Sequence, residues 1–324
     1  PKRPDTASLS DYRPISLIHL LAKLFAKVLS LRLAPRLGEM VSPNQSAFIS
    51  GRWIHDNFFL VQQTARHLHH RKLSRILLKL DIAKAFDSVS WPFLLETLRH
   101  LGFGPRWREW ISILLSTAST RVLINGHLGP PIPHAKGLHQ GDPVSPMLFT
   151  IFIDMLNSLI QHAVRCGILR RLTPQCTTSS ISLFADNVVI FCHPDAHDLS
   201  SVSCILSIFG DASGMRTNFS KCAASPIQCT ANDHSVVSFA CLVKDFPTSY
   251  LGLPLSIRKV STATLQPLLD KLERRLSPWW ASMMSRGDRL ALCRHVLSAM
   301  PTHIMLTMAI NPPILKRINR LIRS

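Results

Sequence analysis

Two carboxylates stand where an apolar chain would not ordinarily place a charge. Asp81 ends the run "RILLKL" (75–80), and Asp186 lies between "SLF" and "VVIF" in the stretch "SLFADNVVIF" (182–191). The first run has the length and composition of a buried strand. The second pair, split by a short polar break, has those of a buried hairpin. Burying an unpaired charge is costly, so each acid needs a partner. Strand-end carboxylates converging on divalent cations would provide one. Hard Mg²⁺ takes few carboxylate oxygens and completes its shell with water and substrate phosphates. Two such ions roughly 4 Å apart can clamp the attacking and leaving oxygens of a phosphoryl transfer. The plainer alternative makes Asp81 a helix N-cap for "AKAFDSV" and Asp186 a turn residue.

The loop "HQGDPVSP" (139–146) adds a third element. Gly141 lets backbone approach a ligand closely, and Gln140 offers an amide to a sugar or base. By itself the same string is also a Gly/Pro turn ahead of a helix. The charge supplies context: 37 Lys and Arg face 19 Asp and Glu, a net +18. The excess is dispersed and not packed into a tail; residues 261–324 hold ten Lys/Arg against three Asp/Glu. A basic folded surface of this kind suits a polyanion, either nucleic acid or an anionic membrane.

The elements that must position these groups follow from periodicity. Apolar residues recur at helical spacing from Pro14 to Leu37 and again over 53–72, separated by the loop "SPNQSAFISGR" (42–52). "SWPFLLETLRHLGF" (90–103) reads as a helix with Ser90 as N-cap and Gly102 as terminator. "WREWISILLS" (107–116) is a further helix, and "TRVLINGHLGPP" (120–131) a strand with an Asn125-Gly126 turn. "SPMLFTIFIDMLNSLIQHAV" (145–164) is a long buried helix with Pro146 in its first turn. A helix over about 198–213 follows the hairpin, and the last 60 residues are helical and basic. Strands and helices mix without regular βαβ alternation, which predicts an α+β fold with a mostly antiparallel sheet under helices.

Other function classes are disfavoured. No apolar run reaches the ~18–20 residues of a membrane span; the best candidate, "SPMLFTIFIDMLNSLI", is interrupted by Asp154 and Asn157. There is no signal-peptide pattern. All eight cysteines lie between 166 and 293 without a Cys-x2-Cys pair, so they read as reduced intracellular thiols and not as zinc ligands. "HLHH" (67–70) reads as a polar helix face. The chain starts at Pro1 and stops inside a helical pattern, "PPILKRINRLIRS", as a piece of a longer polypeptide would.

In order along the chain stand "DYRPISL" (11–17), "QSAFISGRWIHDN" (45–57), "KLDIAKAFDSVSW" (79–91), "VLINGH" (122–127), "GLHQGDPVSPMLF" (137–149), "FADN" (184–187), "SGMRTNFSKC" (213–222) and "YLGLPL" (250–255). Together they resemble the reverse transcriptase of LINE-type, non-LTR retrotransposons, particularly the plant lineage. No single block is specific; their order and spacing over essentially the whole chain are.

The resemblance implies a right-hand polymerase: fingers and palm over 1–255, a helical connector and partial thumb over 256–324. It implies RNA-directed DNA synthesis, with an RNA template, a DNA primer and dNTPs as partners. No membrane and no small-molecule cofactor is implied beyond two Mg²⁺ ions, with Mn²⁺ as a substitute. It implies an intracellular protein, in the nucleus if expressed. By resemblance Asp81 and Asp186 hold metal. Phe86 is the ring that excludes a ribose 2′-hydroxyl, Gln140 and Gly141 contact the incoming nucleotide, and Lys221 protonates the pyrophosphate leaving group. Arg52 matches a cation on the triphosphate.

The sequence departs from the family's pattern at the hairpin tip. Asn187 stands where a second acid is expected, so three metal-binding acids become two, and an amide offers one acceptor oxygen where a carboxylate offers two. His139 and Lys136 replace arginines in the Gln140 loop. A second expectation therefore runs beside the first: a catalytically inactive nucleic-acid-binding remnant of such an element.

Overall fold

The computed structural model describes residues 18–173, 180–229, 241–275, 283–308 and 310–323. The chain divides into two compact units, one of residues 1–53 and 74–243 and one of 54–73 and 244–324. The second unit therefore takes in the helical stretch 54–73 together with everything from Lys244 onward.

The first unit opens with α1 (Leu20–Met40), which buries Ala26, Leu29, Leu33 and Leu37 at i, i+3/i+4 spacing. It runs through Pro35 and past the expected end at Leu37. Next come β1 (Arg75–Leu80), the single turn α3 (Ala85–Ser88), α4 (Trp91–His100) and α5 (Pro105–Ser116). The stretch expected as one strand with a turn forms two small ladders. β2 (Ser119–Thr120) pairs with β5 (Ile132–Pro133), and β3 (Leu123–Ile124) with β4 (His127–Leu128). Asn125 and Gly126 turn the inner hairpin at φ of 50° and 82°, the left-handed conformation that such tight loops require.

α6 (Ser145–Arg165) follows, then β6 (Ile181–Phe184), β7 (Asn187–Cys192), α7 (Ala196–Ser213), β8 (Ala223–Ile227) and β9 (Leu242–Val243). The sheet order is β6-β7-β1-β8-β9, antiparallel throughout except for β8 beside β9. Helices cover it as the α+β expectation requires. Phe93 of α4, Phe152 of α6 and Phe209 of α7 meet edge to face at 5.3 to 6.5 Å between centroids. α6 has the length and hydropathy of a membrane span, but 61% of that window is buried inside the protein. Its polar residues are matched there too: Asp154 accepts hydrogen bonds from Ser42, and Asn157 from Asn44 and Gln161.

In the second unit α2 (Ile54–His70) carries the histidines of "HLHH" on its last turn. A hairpin of β10 (Thr248–Tyr250) and β11 (Leu253–Leu255) packs on it through Tyr250 stacked over Phe58. α8 (Thr262–Arg275), short helices over Arg286–Leu292 and Ala299–Met305, and the terminal helix Pro312–Arg323 complete the unit. The helical character expected of the last 60 residues is what the described ones among them show.

Candidate functional site

The register of the sheet brings the two acids to one end. Leu80 faces Val188, and on the far side of β7 Phe184 faces Asn187. Continuing the ladder by one residue sets Asp81 across from Asn187, with Asp186 next to it on the exposed hairpin tip. The turn is Ala185-Asp186, and Ala185 takes φ of 51° to close it. The N-cap reading does not account for Asp81: the short helix after it starts at Ala85 with Lys84 as its cap residue. Asp186 is a turn residue, and its Oδ1 accepts a 3.3 Å hydrogen bond from the Asn187 amide.

Three segments distant in sequence are fastened around this end. The first is the loop before α2: Leu183 N–H donates to the Asn44 carbonyl at 3.0 Å, and Ala185 N–H to the Gln45 side-chain oxygen at 3.3 Å. Gln45 is fully buried, and the same oxygen also accepts from Ala47 N–H at 2.9 Å. A buried amide thus holds the tip that carries Asp186. Sequence reasoning quoted this block without giving Gln45 a role; the only signal was an amide amid small apolar residues.

The second is the segment 213–222. Asn218 N–H donates to the Asp81 carbonyl at 2.8 Å, Ala83 N–H to the Arg216 carbonyl at 3.0 Å, and Ser90 N–H to the Ser213 carbonyl at 2.9 Å. The β1–β8 ladder runs from Arg75↔Ile227 to Lys79↔Ala223, whereas the pairing beyond it is Ile82↔Thr217. The offset is three residues, which loop out as the 3₁₀ turn Phe219–Lys221 beside Asp81. Lys221 is exposed at the end of that turn. The following Cys222 is buried; its sulfur accepts from Asp81 N–H at 3.3 Å and donates to the Asn218 carbonyl at 3.2 Å. Ser90 occupies the N-cap position of α4 as expected, but its hydroxyl makes no capping bond.

The third is the Gln140 loop. Leu138 N–H donates to the Phe86 carbonyl at 2.7 Å, Gly137 N–H to the Val89 carbonyl at 2.8 Å, and Trp91 Nε1 to the Gly137 carbonyl at 2.7 Å. Phe86 stacks on Phe149 of α6, centroids 4.3 Å apart and rings 10° from parallel. Gln140 is half-buried, and Gly141 is exposed at φ of 110°, where only glycine is unstrained. Behind the loop lies a cavity of about 950 Å³ whose walls include Asp87, His139, Gln140 and Asp142. Burial pushes the Asp142 carboxyl up, against its hydrogen bond from Ser145. Burial likewise pushes His139 down, with Asp142 opposing and the stacked His134 assisting. Burial thus disfavours the charged form of the His139 ring.

One expected site residue lies elsewhere in role. Arg52 Nη1 donates to the carbonyls of Ser42 and Gln45, both at 2.6 Å, and Nη2 to those of Gly38 at 2.8 Å and Val41 at 3.3 Å. Four acceptors take up both terminal nitrogens, two of them carbonyls at the end of α1 that have no partner within the helix. In this structure Arg52 shapes the loop that carries Gln45.

Among the described residues, one further set of possible metal ligands comes together: His193, Asp195 and Asp198, with ligand atoms within 4.8 Å of one another. Arg170 pairs with both of its carboxylates.

A reverse transcriptase (RNA-dependent DNA polymerase) family matches residues 1–255. The chain belongs to the reverse transcriptase family. Among its relatives, the transposon TX1 149 kDa protein of Xenopus laevis is 32% identical over 221 residues, 68% of this chain and 17% of its own. The Pol polyprotein of the type-2 retrotransposable element R2DM of Drosophila melanogaster is 28% identical over 191 residues, 59% of this chain and 17% of its own. The resemblance to non-LTR element enzymes therefore holds, and these animal proteins do not carry the finer plant lineage. The chain spans about a sixth of the length of both relatives.

Telomerase from Candida albicans, solved with a fragment of telomeric RNA, has the same fold, with a TM-score of 0.50 at 14% identity. The match covers 93% of this chain and 51% of that one. For a reverse transcriptase the hard oxygen donors of Asp81 and Asp186 fit the divalent ions that the family uses. They stand at the end of the sheet to which the segments carrying Gln45, Lys221 and Gln140 are fastened.

Proposed function

We propose that this chain is an RNA-directed DNA polymerase that extends a DNA primer on an RNA template with dNTPs. The reading rests on one observation above all: the sheet register sets Asp81 beside the Ala185-Asp186 turn, with the loops carrying Gln140 and Lys221 fastened to the same end. In the proposed reaction the primer 3′-hydroxyl attacks the α-phosphorus, a P–O bond forms as the bond to pyrophosphate breaks, and the hydroxyl proton is lost to solvent. Lys221 gives a proton to the departing pyrophosphate. Phe86, backed by Phe149, closes the space a 2′-hydroxyl would need, and Gln140 and Gly141 line the nucleotide. Asp81 and Asp186 would hold two Mg²⁺, or Mn²⁺, which supply charge stabilisation to the attacking and leaving oxygens.

As parts of the same proposal, residues 1–255 form fingers and palm, 256–324 form connector and partial thumb, and the compartment is the nucleus. A second reading has a specific observation behind it. The Asn187 amide donates to the Asp186 carboxylate, taking one of its acceptor sites, and Asn187 adds no charge where a second acid is expected. That favours an inactive nucleic-acid-binding remnant.

Primer extension on an RNA template in Mg²⁺ and then Mn²⁺ separates the two. Extension by the wild type but not by Asp186→Ala upholds the polymerase. Extension by Asn187→Asp alone makes this chain a disabled polymerase with an intact groove. Binding of template–primer with no extension by any of the three favours the remnant.

A further inference from the structure

A second recess, this one basic, lies within the first unit, between α1 and the turn that joins α4 to α5. It has a volume of about 420 Å³, and neither Asp81, Asp186, Gln140 nor Lys221 lines it. On one wall Arg32 and Arg36 stand at i and i+4 of α1, both exposed. Like charges at that spacing repel one another. None of the ion pairs among the described residues involves either of them. Among the described residues no Asp or Glu lines the recess.

On the other wall Phe103 and Trp107 are half-buried, with ring centroids 4.6 Å apart. Gly104, also in the wall, is the cap residue of α5, a helix with no side-chain cap and no acid in its first turn. That end of the helix carries partial positive charge that no side chain answers. The turn is already fixed. Gly102 N–H donates to Arg99 at 3.1 Å, Phe103 N–H to Leu98 at 3.0 Å, and Arg108 Nε to the Phe103 carbonyl at 3.1 Å. A turn held in this way needs little ordering on binding.

Two guanidinium groups outside the ion pairs of the described residues, a helix end without a side-chain cap and two aromatic faces call for a ligand that is both anionic and planar. We propose that this recess is a single-stranded nucleic-acid subsite, taking one unpaired base against Phe103 and Trp107 and its flanking phosphates on Arg32 and Arg36. The volume is that of a small-molecule pocket. Arginine forks match phosphate oxygens in pairs, and base–aromatic stacking accepts any base. The subsite is separate from the polymerase centre and does not depend on turnover there.

The test is fluorescence anisotropy of a fluorescein-labelled ten-nucleotide oligouridylate across a salt series, in EDTA so that ions at Asp81 and Asp186 play no part. Arg32→Gln with Arg36→Gln should weaken binding and make the slope of log K against log salt shallower by about 1.4 units, ~0.7 for each single-strand phosphate that is no longer neutralised. Trp107→Ala should weaken binding about tenfold with the slope unchanged, while Trp107→Phe, which keeps a ring, should retain most of the affinity. An abasic oligomer of equal charge should be indifferent to Trp107.

An unchanged slope in the double arginine variant would overturn the proposal. So would an equal effect of Trp107→Ala on the abasic oligomer, which would mark a plain anion site. Displacement of the oligouridylate by a polyglutamate peptide as readily as by unlabelled RNA would point to an acidic protein partner instead. Failure of primer extension with these binding signatures intact would remove the polymerase reading and leave this one standing.

Discussion

Asp154 is a carboxylate inside the core helix α6, 6% exposed, held by the backbone N–H of Ser42 at 3.1 Å and by the Ser42 hydroxyl. Burial pushes its carboxyl above the ordinary range, more than the two Ser42 bonds and the charge of Arg52 pull it down. A carboxyl raised by folding binds protons more tightly in the native state. Its contribution is fully present below the unfolded value and is lost as pH rises through the folded one. Asp154→Asn keeps an oxygen for the Ser42 N–H and an amide for its hydroxyl, and it does not titrate. Urea midpoints at pH 4 and pH 7 should show the variant gaining on the wild type as pH rises; the same difference at both pH values would refute the assignment. Gln45 makes a different point at this scale. Gln45→Leu strands the buried N–H groups of Ala47 and Ala185, at about 1–3 kcal/mol each. It should also slow primer extension, although Asp81 and Asp186 are untouched, because the tip that carries Asp186 loses its tether. Normal extension rates in a destabilised Gln45→Leu protein would mean that the tether serves stability alone.

At the scale of elements, two glycines fasten the motif segments, and their surroundings differ in a way that can be measured. Gly214 ends α7 at φ of 81°, and a Cβ there would lie 2.4 Å from the Ser88 carbonyl oxygen. Gly102 ends α4 at φ of 83° with nothing within 4 Å of a Cβ. Gly102→Ala should cost only the left-handed backbone penalty, about 1–2 kcal/mol. Gly214→Ala adds a collision with backbone and should cost at least ~2 kcal/mol more, read from urea unfolding; equal losses would mean that the 81–90 segment yields freely. Local pattern made much of this legible beforehand. The β1 run, the long helix at 145, the Asp186 hairpin and the Gly102 stop were all readable from apolar period and turn chemistry. β8 was not, because "AASPI" has little strand propensity and becomes a strand only by pairing with β1. Its Pro226, opposite Ile76, falls past the two residues that β9 pairs, where the missing N–H breaks no ladder. The surroundings of Arg52 were not legible for a similar reason. Four backbone carbonyls converge on it only after α1 and its loop have folded, and a loop arginine carries no mark of that in sequence.

Over the whole molecule the charge is unevenly shared. The second unit holds sixteen Lys and Arg against five Asp and Glu in its 101 residues, a net +11, which leaves +7 for the larger unit. The terminal helix Pro312–Arg323 shows how that charge is presented. Ile314 and Ile318 are buried, while Lys316, Arg317 and Arg320 are exposed. Arg317 is paired with Glu273 at 2.9 Å; Lys316 and Arg320, one turn apart, are in none of the ion pairs among the described residues. Contacts of this kind follow phosphates and carry no base sequence. Lys316→Gln with Arg320→Gln should therefore weaken binding of an RNA–DNA duplex equally for unrelated sequences and make the salt slope shallower by about 1 unit for each phosphate left unneutralised. Arg317→Gln should change the slope less, since Glu273 already takes up its charge. Salt titrations on two duplexes of different sequence decide the matter. A loss confined to one sequence would mean that this helix reads bases, and an unchanged slope would mean that its charge faces no nucleic acid at all.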